Sequence, residues 1–122
     1  MTEPTREQKV DAARARMAEL AVRFLDRTDA DIAAMRGAFA RLAAGDAGGL
    51  GEIRQLAHRM MGTGATLGYV SLAGCAQVIE RLAEACQPGL VPGDSVRAKL
   101  STALEALSAE HSRQAGSPGP QS

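Results

Sequence analysis

Apolar residues recur at steps of three and four along nearly the whole chain, and the alternation that marks a strand is missing. Val10, Ala13, Met17, Leu20 and Phe24 form the first series, opened by Thr5 with Gln8 three residues on, the pattern of a capping box. This predicts a helix over about Thr5 to Asp26. A second series, Ile32, Met35, Phe39 and Leu42, follows Thr28, Asp29 and Asp31, residue types suited to a helix start, and Gly45 ends it. A glycine-rich connection through Asp46, Gly48 and Gly49 leads to a third helix, with Ile53, Leu56, Met60, Gly64 and Leu67 on its apolar face and Gly68 as its stop. Leu72, Cys75, Ile79, Leu82 and Cys86 define a fourth. Pro88, Gly89, Pro92 and Gly93 interrupt the chain, and Asp94 caps a fifth helix carrying Val96, Leu100, Ala103, Leu104 and Leu107.

Short connections between amphipathic helices favour antiparallel neighbours. The expected architecture is therefore all-α: an up-down-up-down antiparallel four-helix bundle with an additional N-terminal helix. By residue number, 1–4 form a disordered N-terminus, 5–26 the N-terminal helix, 27–113 the bundle and 114–122 a disordered tail. The closing Gly-Ser-Pro-Gly-Pro-Gln-Ser run has nothing to bury.

Composition narrows the function. At 122 residues the chain is one domain's worth. Its 14 Lys and Arg balance 14 Asp and Glu, and its only aromatics are Phe24, Phe39 and Tyr69. A nucleic-acid binder needs a basic excess for phosphates or stacking aromatics for single strands, so no nucleic-acid partner is expected. No apolar run approaches the roughly 18–20 residues that span a bilayer, and from the polar stretch Met1 to Lys9 no signal peptide is expected. The expectation is a cytoplasmic protein that does not engage a membrane. Gly48 to Gly51 are too irregular for a phosphate-binding loop, which would need a Gly-Lys-Ser/Thr ending after a strand.

Reactive side chains are scarce. Cys75 and Cys86, eleven residues apart on one helix, lie about 16 Å apart along its axis, too far for a disulfide, so free thiols in a reducing compartment are expected. No Cys-x-x-Cys, His-x-x-x-His or Glu-x-x-His pair occurs, and no metal site is expected. His58 and His111 remain as the side chains that titrate near neutrality. His111, at the end of the fifth helix, reads as a solvated or C-terminal capping side chain. His58 is different. On a wheel centred on Leu56 it falls at about 200°, away from the core, with Gly51, Arg54, Gly62 and Ala65 around it. Helix-interior glycine costs about 0.5–1 kcal/mol relative to Ala, and Gly62 has no core-facing role to offset this. Open space beside His58 for an approaching protein surface explains it.

The run Leu56-Ala-His-Arg-Met-Met-Gly-Thr-Gly-Ala-Thr-Leu-Gly68 resembles the signature of histidine-containing phosphotransfer (HPt) domains: Ala-His, a hydrophobic residue two positions on, Lys-Gly, small residues, then Leu-Gly. Ala43-Ala44-Gly45-Asp46 resembles the loop entering the histidine helix, and Val78-Ile79-Glu80 the Leu-Glu of the next helix, so the likeness covers about Leu20 to Leu107. It implies a four-helix bundle whose histidine, His58, exchanges a phosphoryl group with the aspartate of a response-regulator receiver domain. The chain departs from the pattern at Met61, where the family usually has a Lys that helps hold the phosphoryl oxygens.

Arg54, one turn before His58 and about 40° round the helix, is the nearest basic substitute and the candidate phosphoryl-holding residue. Gly51, Gln55, Arg59, Met61, Gly62 and Ala65 form the expected docking surface, with Met61 either an apolar rim or a partly buried filler. With no ATP-binding half, the chain is expected to be a stoichiometric carrier in a two-component phosphorelay and not an enzyme. No cofactor of its own is expected, since Mg²⁺ would come from the receiver. Expected partners are receiver domains, with a hybrid histidine kinase as a further candidate. The chain is expected to be a monomer, with dimerisation through the N-terminal helix as the alternative. The rival function is a phosphorylation-independent helical adaptor or inhibitor that binds a receiver domain or kinase, and Met61 in place of Lys is what favours it.

Overall fold

A computed structural model describes residues 3–116, which form four helices: α1 (Arg6–Ala43), α2 (Gly48–Leu67), α3 (Val70–Glu84) and α4 (Asp94–Gly116). The helices form a ring in which α2 packs on both α1 and α3, and α4 packs on α3 and closes against α1. The shared core runs through Met35, Leu42, Ile53, Leu72, Ile79, Leu100 and Leu107, all fully buried. No described helix is long and apolar enough to cross a membrane.

The first two predicted helices are one. Thr5 does form the capping box with Gln8, but α1 then continues unbroken for 38 residues. Thr28, Asp29 and Asp31 do not start a new helix, because no glycine or proline stands between Arg6 and Arg36 and the apolar phase carries straight through them. Phe24, Thr28, Ile32, Met35, Ala38 and Leu42 all face the core, Thr28 included. Asp31 is taken up instead by Arg27, at 3.9 Å, and by Arg59 of α2, at 3.3 Å. There is thus no separate N-terminal helix at 5–26. At about 1.5 Å per residue α1 is also far longer than its neighbours. Its first four turns, up to Leu20, consequently lie exposed with nothing to pack on.

Local backbone demands set the corners. Gly45 and Gly68 take left-handed φ values of 103° and 89° and end α1 and α2, as their positions in the sequence predict. Gly49 serves close approach: a Cβ there would sit 2.3 Å from the Ala38 carbonyl oxygen, so α1 and α2 cross where only glycine fits. Tyr69, buried at the α2–α3 corner, stacks on Phe24 with ring centroids 5.1 Å apart and ties that corner to α1.

At the other end of the chain α4 runs to Gly116, three residues into the predicted tail, and Gln114 is buried. It donates to Glu110 at 3.1 Å, which holds the last turn of α4 in place. Residues 117–122 of that tail, and residues 1–2 of the predicted disordered N-terminus, lie outside the described residues. Cys75 lies on α3 and Cys86 just beyond its end, and both are free, half-buried thiols.

Candidate functional site

The buried face of α2 comprises Gly49, Leu50, Ile53, Ala57, Met60 and Gly64, whereas Leu56 is only half-buried. The core axis of the helix therefore passes nearer Ile53 than Leu56. From Ile53, His58 is about 140° round the helix and leans to the α3 side rather than pointing away from the bundle. That rotation brings it to Glu80. His58 Nδ1 lies 2.6 Å from Glu80 Oε2, with 68% of the histidine side chain exposed against 11% of the glutamate's. An ionised carboxylate only accepts hydrogen bonds, so Nδ1 carries the proton and donates it, leaving the Nε2 lone pair directed to solvent. The helix that carries His58 places no carboxylate on its face, and the fold supplies one from 22 residues away. A sequence signal for it existed. Glu80 interrupts an apolar face formed by Leu72, Ala76, Ile79 and Ala83, and it is itself buried. A lone acid in such a stripe has to find a partner at its edge.

The other candidate residues separate into distinct settings. Gly51, Arg54, Gln55, Gly62 and Ala65 are exposed on α2. Added Cβ atoms at Gly51 and Gly62 would meet nothing within 4 Å, so neither glycine is required by packing. Arg54 has no ion-pair partner among the described residues and lines a hollow of about 560 Å³ with Gly51, Glu84 and Pro88. Arg59 belongs elsewhere. It is bonded to Asp31 and faces α1, so it is not part of the set around the imidazole. Met61 is half-buried and packs against the core, which makes it a filler as well as the residue at the position three beyond His58.

His111 is neither solvated nor a cap of its own helix. Its Nε2 lies 2.9 Å from the Leu25 carbonyl oxygen of α1; a carbonyl only accepts, so Nε2–H donates and that nitrogen is engaged. One residue back, the Glu110 carboxyl is held below the usual carboxylate range by hydrogen bonds from Gln114 and Arg113. Burial, reinforced by the Glu110 charge, pushes the Cys75 thiol up, which opposes thiolate chemistry there. Among the described residues no three His, Cys, Asp or Glu side chains cluster so as to hold a metal ion.

The site is an exposed imidazole on the middle of a bundle helix, held through Nδ1 by a carboxylate and flanked by open glycine positions. A sequence model of the Hpt domain matches residues 19–110, most of the chain, and the protein belongs to that family. Comparison with curated proteins and with solved structures returned no match.

Proposed function

We propose that the protein carries a phosphoryl group on His58 between the aspartates of response-regulator receiver domains, as a phosphorelay intermediate in the cytoplasm. The observation that carries this reading is the Nδ1 contact to Glu80 on a ring whose other nitrogen is open. The reaction consists mainly of positioning and charge neutralisation, because phosphoryl transfer passes through a loose, in-line transition state. The Nε2 lone pair forms the N–P bond as the acyl P–O bond of the aspartyl phosphate breaks, and the aspartate departs as carboxylate. The ring keeps its Nδ1 proton and becomes cationic. Glu80, 2.6 Å away, offsets that charge as it develops, which favours Nε2 as the attacking atom and stabilises the phosphohistidine. Mg²⁺ and the acidic pocket belong to the receiver. An up-down-up-down helix order, favoured by the short α1–α2 and α2–α3 connections, presents His58 on the side wall of the bundle.

Arg54 is our candidate for holding the phosphoryl oxygens, one turn from His58 and without an ion pair among the described residues. Met61→Lys should lengthen the phosphohistidine half-life, and Arg54→Ala should shorten it. If both half-lives match wild type, the phosphoryl-holding assignment fails. The carrier role itself is tested by incubation with a phosphorylated receiver domain, where label reaching the His58→Gln variant would sink it.

The half-buried Met61 in place of a cation also supports a second reading, an adaptor that binds a receiver or kinase without phosphorylation. Equal affinity of wild type and His58→Ala for the partner, with no label transferred, would select it.

A further inference from the structure

Along the exposed start of α1, Val10, Met17 and Leu20 remain 43%, 41% and 40% exposed, although they lie in phase with Phe24, which is buried in the bundle. The core-facing stripe of α1 therefore extends about four turns beyond the bundle with nothing against it. Lys9, Arg16 and Arg23 follow one another at seven-residue spacing along one edge of the stripe, about 80–120° from Met17 on the side turned to α2. Among the described residues none of these three cations makes an ion pair. The stripe does not end at the bundle. It opens into a groove of about 520 Å³ between α1 and α2, floored by Leu20, Phe24, Met60 and Leu67 and edged by Arg23 and Arg59.

We propose that this lane receives an amphipathic helix of a partner protein whose apolar stripe is edged by Asp or Glu at seven-residue spacing. A second copy of this chain fits poorly. In a parallel pair Lys9 would face Arg14 of the other copy, and in an antiparallel pair the cation column would face itself. A flat anionic bilayer fits poorly as well, because the lane narrows into a groove between two helices, and its exposed part has no Trp, Tyr or Phe to anchor at an interface. An acidic-edged helix satisfies both features. It buries Val10, Met17 and Leu20 by knobs-into-holes packing and pairs with Lys9, Arg16 and Arg23. The overall charge of zero means that this attraction is local, so it selects by pattern rather than by bulk charge. Docking here needs no phosphate on His58 and goes beyond the carrier reading.

The test uses two synthetic 21-residue helical peptides with identical leucine stripes, one edged by glutamates and the other by lysines, titrated into the full chain by fluorescence anisotropy. The acidic peptide should bind at least tenfold more tightly than the basic one and weaken between 50 and 300 mM salt. The combined Lys9→Glu, Arg16→Glu and Arg23→Glu substitutions should reverse the preference. All three residues are exposed, and helix content by circular dichroism verifies the fold; Arg16→Glu alone, expected to lower acidic-peptide affinity severalfold, covers any loss of helix. His58→Gln should bind the acidic peptide as wild type does, which separates this proposal from the carrier role. Equal affinity for both peptides, no binding to either, sedimentation of the free protein as a dimer, or flotation with phosphatidylserine vesicles would each overturn it.

Discussion

The two histidines of this protein are chemically the same side chain in opposite settings. His58 stands on the wall of the bundle with Nδ1 held by Glu80 and Nε2 open, whereas His111 lies half-buried between α4 and α1 with Nε2 engaged by the Leu25 carbonyl. A nucleophile needs a free nitrogen, a fixed tautomer and a counter-charge for the cation that forms. His58 has all three. His111 is used as a clasp between two helices, and the hydrogen bond that makes it useful there occupies a nitrogen it would need for chemistry.

The largest expected effect tests that contrast directly. His58→Gln should abolish acceptance of label from a phosphorylated receiver, while His111→Gln should accept it at close to the wild-type rate and lose about 1 kcal/mol of stability with its interhelix hydrogen bond. Urea melts of the two variants provide the second half of the comparison. Glu80→Gln should come next, slowing acceptance on the order of a hundredfold, since the amide can still meet Nδ1 but cannot offset the ring's charge. The ¹⁵N shifts of the His58 ring should show a mixed tautomer in that variant, a change that simple loss of packing would not produce.

A smaller effect separates the docking surface from the fold. Gly62→Ala should raise stability by about 0.5–1 kcal/mol, because the new methyl meets nothing in the free protein. The same substitution should slow transfer severalfold if the space serves an approaching receiver. A stabilised variant with unchanged transfer would show that Gly62 is not part of the docking surface.

The smallest effect concerns the clasp end of the bundle. Glu110 is held below its usual range chiefly by hydrogen bonds from Gln114 and Arg113. Its unfolded carboxyl titrates near pH 4.3, so its contribution to stability is present above about that pH and is lost as pH falls through the lower folded value. Glu110→Gln should therefore melt closer to wild type at pH 3 than at pH 7. A gap that stays constant with pH would show that the contribution of Glu110 is not ionic.

Much of the fold was legible because helices write their core face at a regular period. The all-α class, the caps at Thr5, Gly45 and Gly68, and the break between Pro88 and Gly93 are short-range features, settled by residues within a few positions of one another. The continuity of α1 is not a short-range feature. Thr28, Asp29 and Asp31 look like a helix start until Arg59, on another helix, takes up Asp31 and the core takes Thr28. The extension of α4 through Gln114 is not legible either, because the polar side chains of Glu110 and Gln114 give no sign in the sequence that the bundle buries both.

For the site, the sequence by itself determined that His58 lies off the core face of its helix, that glycines flank it, and that Arg54 shares its side of the helix one turn away. Only the tertiary structure decided that Glu80 meets Nδ1, that Arg59 is tied to α1, and that His111 is engaged. The physical reason is range. Helical periodicity sets the face on which a side chain lies from neighbours three or four residues away. A hydrogen bond between helices also depends on how far each helix is turned about its own axis, and that turn is set by the packing of residues such as Gly49, Ala57 and Met60 across the whole bundle.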